Sequence, residues 1–182
     1  DQSKGMLDAD VVYDKGGPND IKLTKNSCGV VYALDLVPDA AIGSAWVAAN
    51  FRAVVEGSPI TYGVGSPYAG NSCSINGIAN PDNLTFAPEY GTLIIGEDTG
   101  SGHQNDAVWA YDTVTAKKTR IMTTPYGAET TSPYWYSNIN DFAYLMAVIQ
   151  HPYGESDTDK VAVDSPDRHA YVGVLGPLPA AP

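Results

Sequence analysis

The chain is short of positive charge, long apolar runs and cysteine, and each shortage excludes something. Ten Lys and Arg stand against 21 Asp and Glu, a formal net charge of -11. That balance excludes nucleic acid or an anionic membrane surface as the main partner and suits a protein that binds cations. No run of about eighteen apolar residues occurs, so no membrane-spanning helix is expected. The two cysteines, Cys28 and Cys73, form no Cys-x-x-Cys pattern, which excludes a zinc knuckle or a redox dithiol. Both lie beside Asn-Ser in polar loops. One disulfide in an exported protein is the favoured reading, with two free thiols or one thiolate metal ligand as alternatives. The start, Asp1-Gln2-Ser3-Lys4, is neither a signal peptide nor a natural initiation site, and predicts a processed or truncated chain.

What is present favours strands and turns. Twelve Tyr against three Phe, with 18 Gly and 13 Pro, is a β-rich balance. The length of 182 residues, 43% hydrophobic, permits one unit with a real core. Val11-Val12-Tyr13 reads as a strand, Gly16-Gly17-Pro18-Asn19 as a turn, and Gly29 to Leu36 as a second strand. Pro38-Asp39 resembles a helix start, and Ile42, Trp46, Val47, Phe51, Val54 and Val55 recur near helical spacing up to Gly57. One helix is therefore expected near residues 40–56. Residues 58–79, rich in Gly, Ser, Pro and Asn, read as a loop or insertion.

From Pro81 short β-rich runs follow in series: Leu84 to Phe86, Thr92 to Gly96, Ala107 to Asp112 and Lys118 to Thr123. Asp112 to Lys117 reads as a tight hairpin turn. Tyr144 to Gln150 is read as a strand because His151-Pro152 follows it. Four short strands in about 45 residues is the size of one β-propeller blade. Residues 80–125 fill one blade, 126–175 most of another, and the first 57 supply strands to a third. The expected fold is all-β, a partial propeller of two to three blades spanning 1–182 as a single unit. Ring closure takes at least about four blades, so a missing N-terminal portion or another chain is expected to complete it.

Acidic and amide residues recur at the ends of these strands. Asn80-Pro81-Asp82-Asn83 precedes one strand and Gly96-Glu97-Asp98 closes the next. His103, Asn105 and Asp106 occupy a Gly/Ser loop, Gly127-Ala128-Glu129 follows another strand, and Gln150, His151 and Glu155 end the last. Any one of these is an ordinary turn former. Together they offer the hard oxygen ligands that calcium or a mixed metal site requires.

Several ordered tags resemble the PhoX-type alkaline phosphatases. They are Ile78 to Phe86, Leu93 to Asp98, Asn105 to Asp112, Thr119 to Ile121, Pro125 to Ser132, and Val148 to Glu155. The resemblance covers roughly Cys73 to Glu155 and looks like the C-terminal part of a family member. It implies a periplasmic or secreted propeller that hydrolyses phosphate monoesters with a calcium and iron cluster. It also implies that Glu129, Asp98, Glu97 and Asp82 are metal ligands, with formation of the turn into the strand as the alternative role of Asp82. The family's cysteine ligand has no obvious counterpart at Cys28 or Cys73. Position 127, two before Glu129, is glycine, so no phosphate-binding arginine stands there. The chain is thus expected to supply half a metal site. The alternative is a non-catalytic calcium-binding propeller serving as an exported scaffold or assembly subunit. A sugar-binding reading rests only on Tyr134, Trp135 and Tyr136.

Overall fold

A computed structural model describes residues 25–154 and 168–180. The proposed strand at Val11 to Tyr13, the turn at Gly16 to Asn19, and Glu155 lie outside these residues. The described chain forms β1 (Val30–Asp39), β2 (Ser44–Glu56), β3 (Pro81–Ala87), β4 (Thr92–Glu97), β5 (Ala107–Asp112), β6 (Lys118–Thr123), β7 (Glu129–Ile139), β8 (Phe142–Gln150) and β9 (Tyr171–Pro179). These make three antiparallel sheets, a β1-β2 hairpin, a β3-β4-β5-β6 meander and a β7-β8-β9 meander, and none is closed. The fold is all-β.

The helix expected near residues 40–56 is a strand. β2 runs through most of that segment, paired to β1 from Val30↔Glu56 to Asp39↔Ser44. Its larger apolar residues, Trp46, Val47, Phe51, Val54 and Val55, are β-branched or aromatic and suit a pleated surface. Their near-helical spacing buries no stripe, since Trp46 is 73% and Ile42 68% exposed. Register shifts along the hairpin blur the two-residue alternation that would have signalled a strand. Asp39 does cap, but it caps a turn: Oδ1 accepts the Ala41 N–H at 2.8 Å, and Gly43 (φ 67°) completes the reversal. Gly57 is no helix stop either. A Cβ there would lie 2.4 Å from the Cys28 carbonyl oxygen, so the close passage of two backbones requires glycine.

β1, β3, β4, β5, β6 and β8 fall where the sequence places strands, whereas β7 and β9 carry no strand reading of their own there. β5 and β6 have the expected limits, and the Asp112 N–H closes their turn on Lys117 O at 3.0 Å. Residues 58–79 form a loop whose one bridge joins Pro59 to Cys73. Cys28 and Cys73 form a disulfide, both sulfurs buried, which pins that loop to the start of β1.

The β3–β6 sheet is covered on both faces, as the continuous apolar run Leu93-Ile94-Ile95 requires. Ile95, Trp109 and Tyr111 pack with Val31, Val55 and Ile78 on the side of the hairpin. Ile94 and Val108 pack on the other side with Leu145, Trp135 and Leu175 of the β7–β9 sheet. β7 lies along β3 and β4. That contact brings the start of β7 to the end of β4, where the acidic residues are.

Candidate metal centre

Three of the expected ligands converge. Asp82, Asp98 and Glu129 each present a carboxylate oxygen within 4.8 Å of the others. They arrive from different places. Asp82 is the extra residue where β3 shifts register between Pro81↔Glu97 and Asn83↔Gly96. The bulge turns its side chain out at the rim, and Asn83 Nδ2 donates to its carboxylate. Asp98 follows the last residue of β4, and its N–H donates to Asn80 O at 3.1 Å. Asn80 holds the left-handed conformation (φ 42°) that asparagine tolerates better than most residues.

Glu129 opens β7 and is 8% exposed. Its Oε2 accepts Gln150 Nε2 at 2.8 Å and lies 3.2 Å from His151 Nε2. Gln150 stands directly across the ladder from Glu129. The turn before Glu129 needs Gly127 (φ 63°), because a Cβ there would meet Gly154 N at 2.8 Å. Burial raises the Glu129 carboxyl above its ordinary value, with the Asp98 and Asp82 charges adding to the rise and His151 opposing it.

Glu97 is not part of this cluster. It is wholly buried and accepts four hydrogen bonds. Oε1 takes the Ala79 N–H at 2.7 Å and the Trp109 indole at 2.6 Å. Oε2 takes His103 Nδ1 at 2.8 Å and the Ala107 N–H at 2.9 Å. The second His103 nitrogen, Nε2, faces Ser74 O at 3.1 Å. Adjacent acids in the sequence thus point opposite ways, as neighbours on a strand do: Glu97 into the core, Asp98 to the rim.

Asp106, from the same loop as His103, adds a fourth acid. It is 1% exposed, and its Oδ2 accepts the Thr99 N–H at 3.0 Å. Oδ1 has no hydrogen-bond partner. Burial pushes this carboxyl up to about 8, opposed by the Thr99 N–H and reinforced by the Glu97, Asp98 and Glu129 charges. The sequence put Asp106 among the acidic stations without singling it out. Gln150 stands at a strand end in the sequence, with nothing there to mark Glu129 as its partner. Their roles depend on cross-strand and cross-sheet pairing, which no local pattern displays.

Cys28 and Cys73 are joined to each other, so neither offers a thiolate. The donors at this site are hard oxygens, with the His151 imidazole beside them. That set fits calcium and other oxygen-loving cations. The chain matches no protein-family model, no curated protein and no solved structure.

Proposed function

We propose that Asp82, Asp98 and Glu129 bind a divalent cation, calcium by preference, and that the site serves hydrolysis of phosphate monoesters. The observation that carries this is the convergence of three carboxylates from separate strand ends within 4.8 Å of one another. Like charges so placed repel, and a cation removes the repulsion. Asp106, whose carboxyl is pushed up to about 8 by burial, adds no charge at neutral pH, but its buried oxygen without a partner lies within reach of the Asp98 and Glu129 charges.

A bound cation would offset the charge of a phosphoryl group and help to orient it and the attacking water. The chain's own part is to hold the oxygens. Gln150 and His151 orient Glu129 Oε2, and the Asn80 carbonyl fixes the Asp98 backbone. Calcium takes six to eight oxygens, so water, substrate phosphate or groups from another segment or chain would supply the rest. Iron and the phosphate-monoester substrate rest on the PhoX resemblance alone, the carboxylate cluster supporting the cation. The buried disulfide fits an oxidising compartment, hence a periplasmic or secreted protein, and a ring completed by another portion or chain rests on the propeller reading of the strand lengths.

The second reading, a non-catalytic calcium-binding scaffold, is favoured by one observation. Gly127 stands where a phosphate-binding arginine would serve. Arg120 is directed elsewhere, over the Trp109 ring at 4.9 Å with its guanidinium donating to Ile75 O. Calcium titration by calorimetry, paired with aryl phosphate hydrolysis by wild type and Glu129→Gln, separates the readings. Turnover abolished by Glu129→Gln supports the phosphatase. Calcium binding without turnover supports the scaffold, and no binding removes both.

A further inference from the structure

Asp98 and Glu129 belong to different sheets, so no strand ladder sets the distance between their carboxylates. One side chain joins the two strand ends. Thr130 Oγ1 accepts the Glu97 N–H at 2.6 Å and donates to the Glu97 carbonyl at 3.1 Å. A single hydroxyl can do both, having one proton and free lone pairs. Thr130 follows Glu129 directly, and Glu97 directly precedes Asp98. The two acids therefore flank the two ends of this reciprocal bond.

We propose that Thr130 is the positioning residue of the cation site, clamping β7 to β4 so that Glu129 and Asp98 stand at ligand distance. This rests on the reading of the acidic cluster as a cation site. Its other half is already rigid, because the Glu97 side chain is fixed by four donors in the core. Pro81 pairs with the same Glu97, which places Asp82 at the third corner. Every member of the cluster thus adjoins Glu97 itself or a residue bonded or paired to it. The approach leaves no room for a side chain at the preceding position. A Cβ on Gly96 would lie 2.7 Å from Thr130 Oγ1 and 2.9 Å from Thr130 O. Carboxylates crowded at the rim push the two sheets apart, and the buried clamp opposes that force in a place water does not reach.

A clamp that favours cation binding must itself be favoured by the cation, since coupling is reciprocal. Calcium calorimetry on the full chain compares wild type, Thr130→Val and Thr130→Ser, with circular dichroism to verify folding. Thr130→Val keeps the shape and loses the hydroxyl. It should bind calcium about tenfold or more weakly, the usual cost of removing a support behind a metal ligand. Thr130→Ser keeps the hydroxyl and should restore affinity close to wild type. A residue that only packs would give the reverse order, Val being the better mimic of threonine's bulk. Should Thr130→Val fail to fold, amide exchange of Glu97 in the wild type decides: added calcium should slow it. Unchanged exchange, or equal calcium affinity in wild type and Thr130→Val, overturns the clamp and leaves the cation site standing. Absence of calcium binding by the wild type removes the site and the clamp together.

Discussion

Glu97 and His103 form a buried pair, Oε2 to Nδ1 at 2.8 Å, and the second histidine nitrogen is aimed at the Ser74 carbonyl. Both ring nitrogens face oxygens, so the imidazole is held at both ends. The pair ties the end of β4 to the loop carrying Asp106 and to the 58–79 loop. It builds the floor beneath the acidic rim and is no part of the rim.

Glu97→Gln should therefore destabilise the fold while leaving its surface unchanged. An amide nitrogen would face two of the four donors that now point at the carboxylate, leaving buried groups unpaired. A loss of about 3 kcal/mol is expected, the scale of leaving buried hydrogen-bonding groups unpaired. Urea unfolding should show a lower midpoint with little change in slope. An unchanged midpoint would contradict the hydrogen-bond assignment.

Stability of the cation-free protein should fall as pH rises from about 4 to about 8. Asp106 holds its proton in the folded state up to about 8, but releases it near its ordinary value of 3.8 when unfolded. Between those limits the folded state binds more protons, so each rise in pH favours unfolding. Glu129 is shifted in the same direction. One such proton gives a slope of at most about 1.4 kcal/mol per pH unit. Melting temperatures measured in chelator across this range should show the decline, and Asp106→Asn should flatten it. An equal slope in the variant would place the effect elsewhere.

Added calcium should raise the melting temperature of chelator-treated protein, and Glu129→Gln should reduce the rise. At a free concentration one hundred times the dissociation constant, the gain is about 2.7 kcal/mol. The substitution keeps the size of the side chain and removes one of three converging charges. A calcium response identical in the variant would exclude Glu129 as a ligand.

Both cysteines should alkylate only after reduction, and reduction should destabilise the fold. The bond joins residues 45 apart, and both ends are buried against Ala79. About 2–4 kcal/mol of stability is expected to go with it. Thiol labelling in denaturant without reductant would contradict the bond.

Much of the fold was legible because its signals are local. The β4 and β5 runs are apolar enough to be buried on both faces, and turn residues bracket them. The 40–56 segment was misread for an equally physical reason. An Asp after Pro and a near-helical apolar spacing suit either a helix or a bulged hairpin, and pairing with β1 decided between them. Asp82, Asp98 and Glu129 were visible as acids at strand ends, whereas Glu97 was indistinguishable from Asp98 in a Gly-Glu-Asp tag.

By itself, the amino-acid sequence determined the strands and turns of the 81–123 meander, the β8 strand and the supply of oxygen ligands, all matters of residues near one another in the chain. Tertiary structure decided which acids share a point in space. Gly96 and Thr130 let β7 close on β4, Glu97 was drawn into the core by its donors, and Asp98 was left facing Glu129 across the gap. Those choices depend on contacts between sheets, where packing and buried hydrogen bonds fix distances that no spacing along the chain encodes.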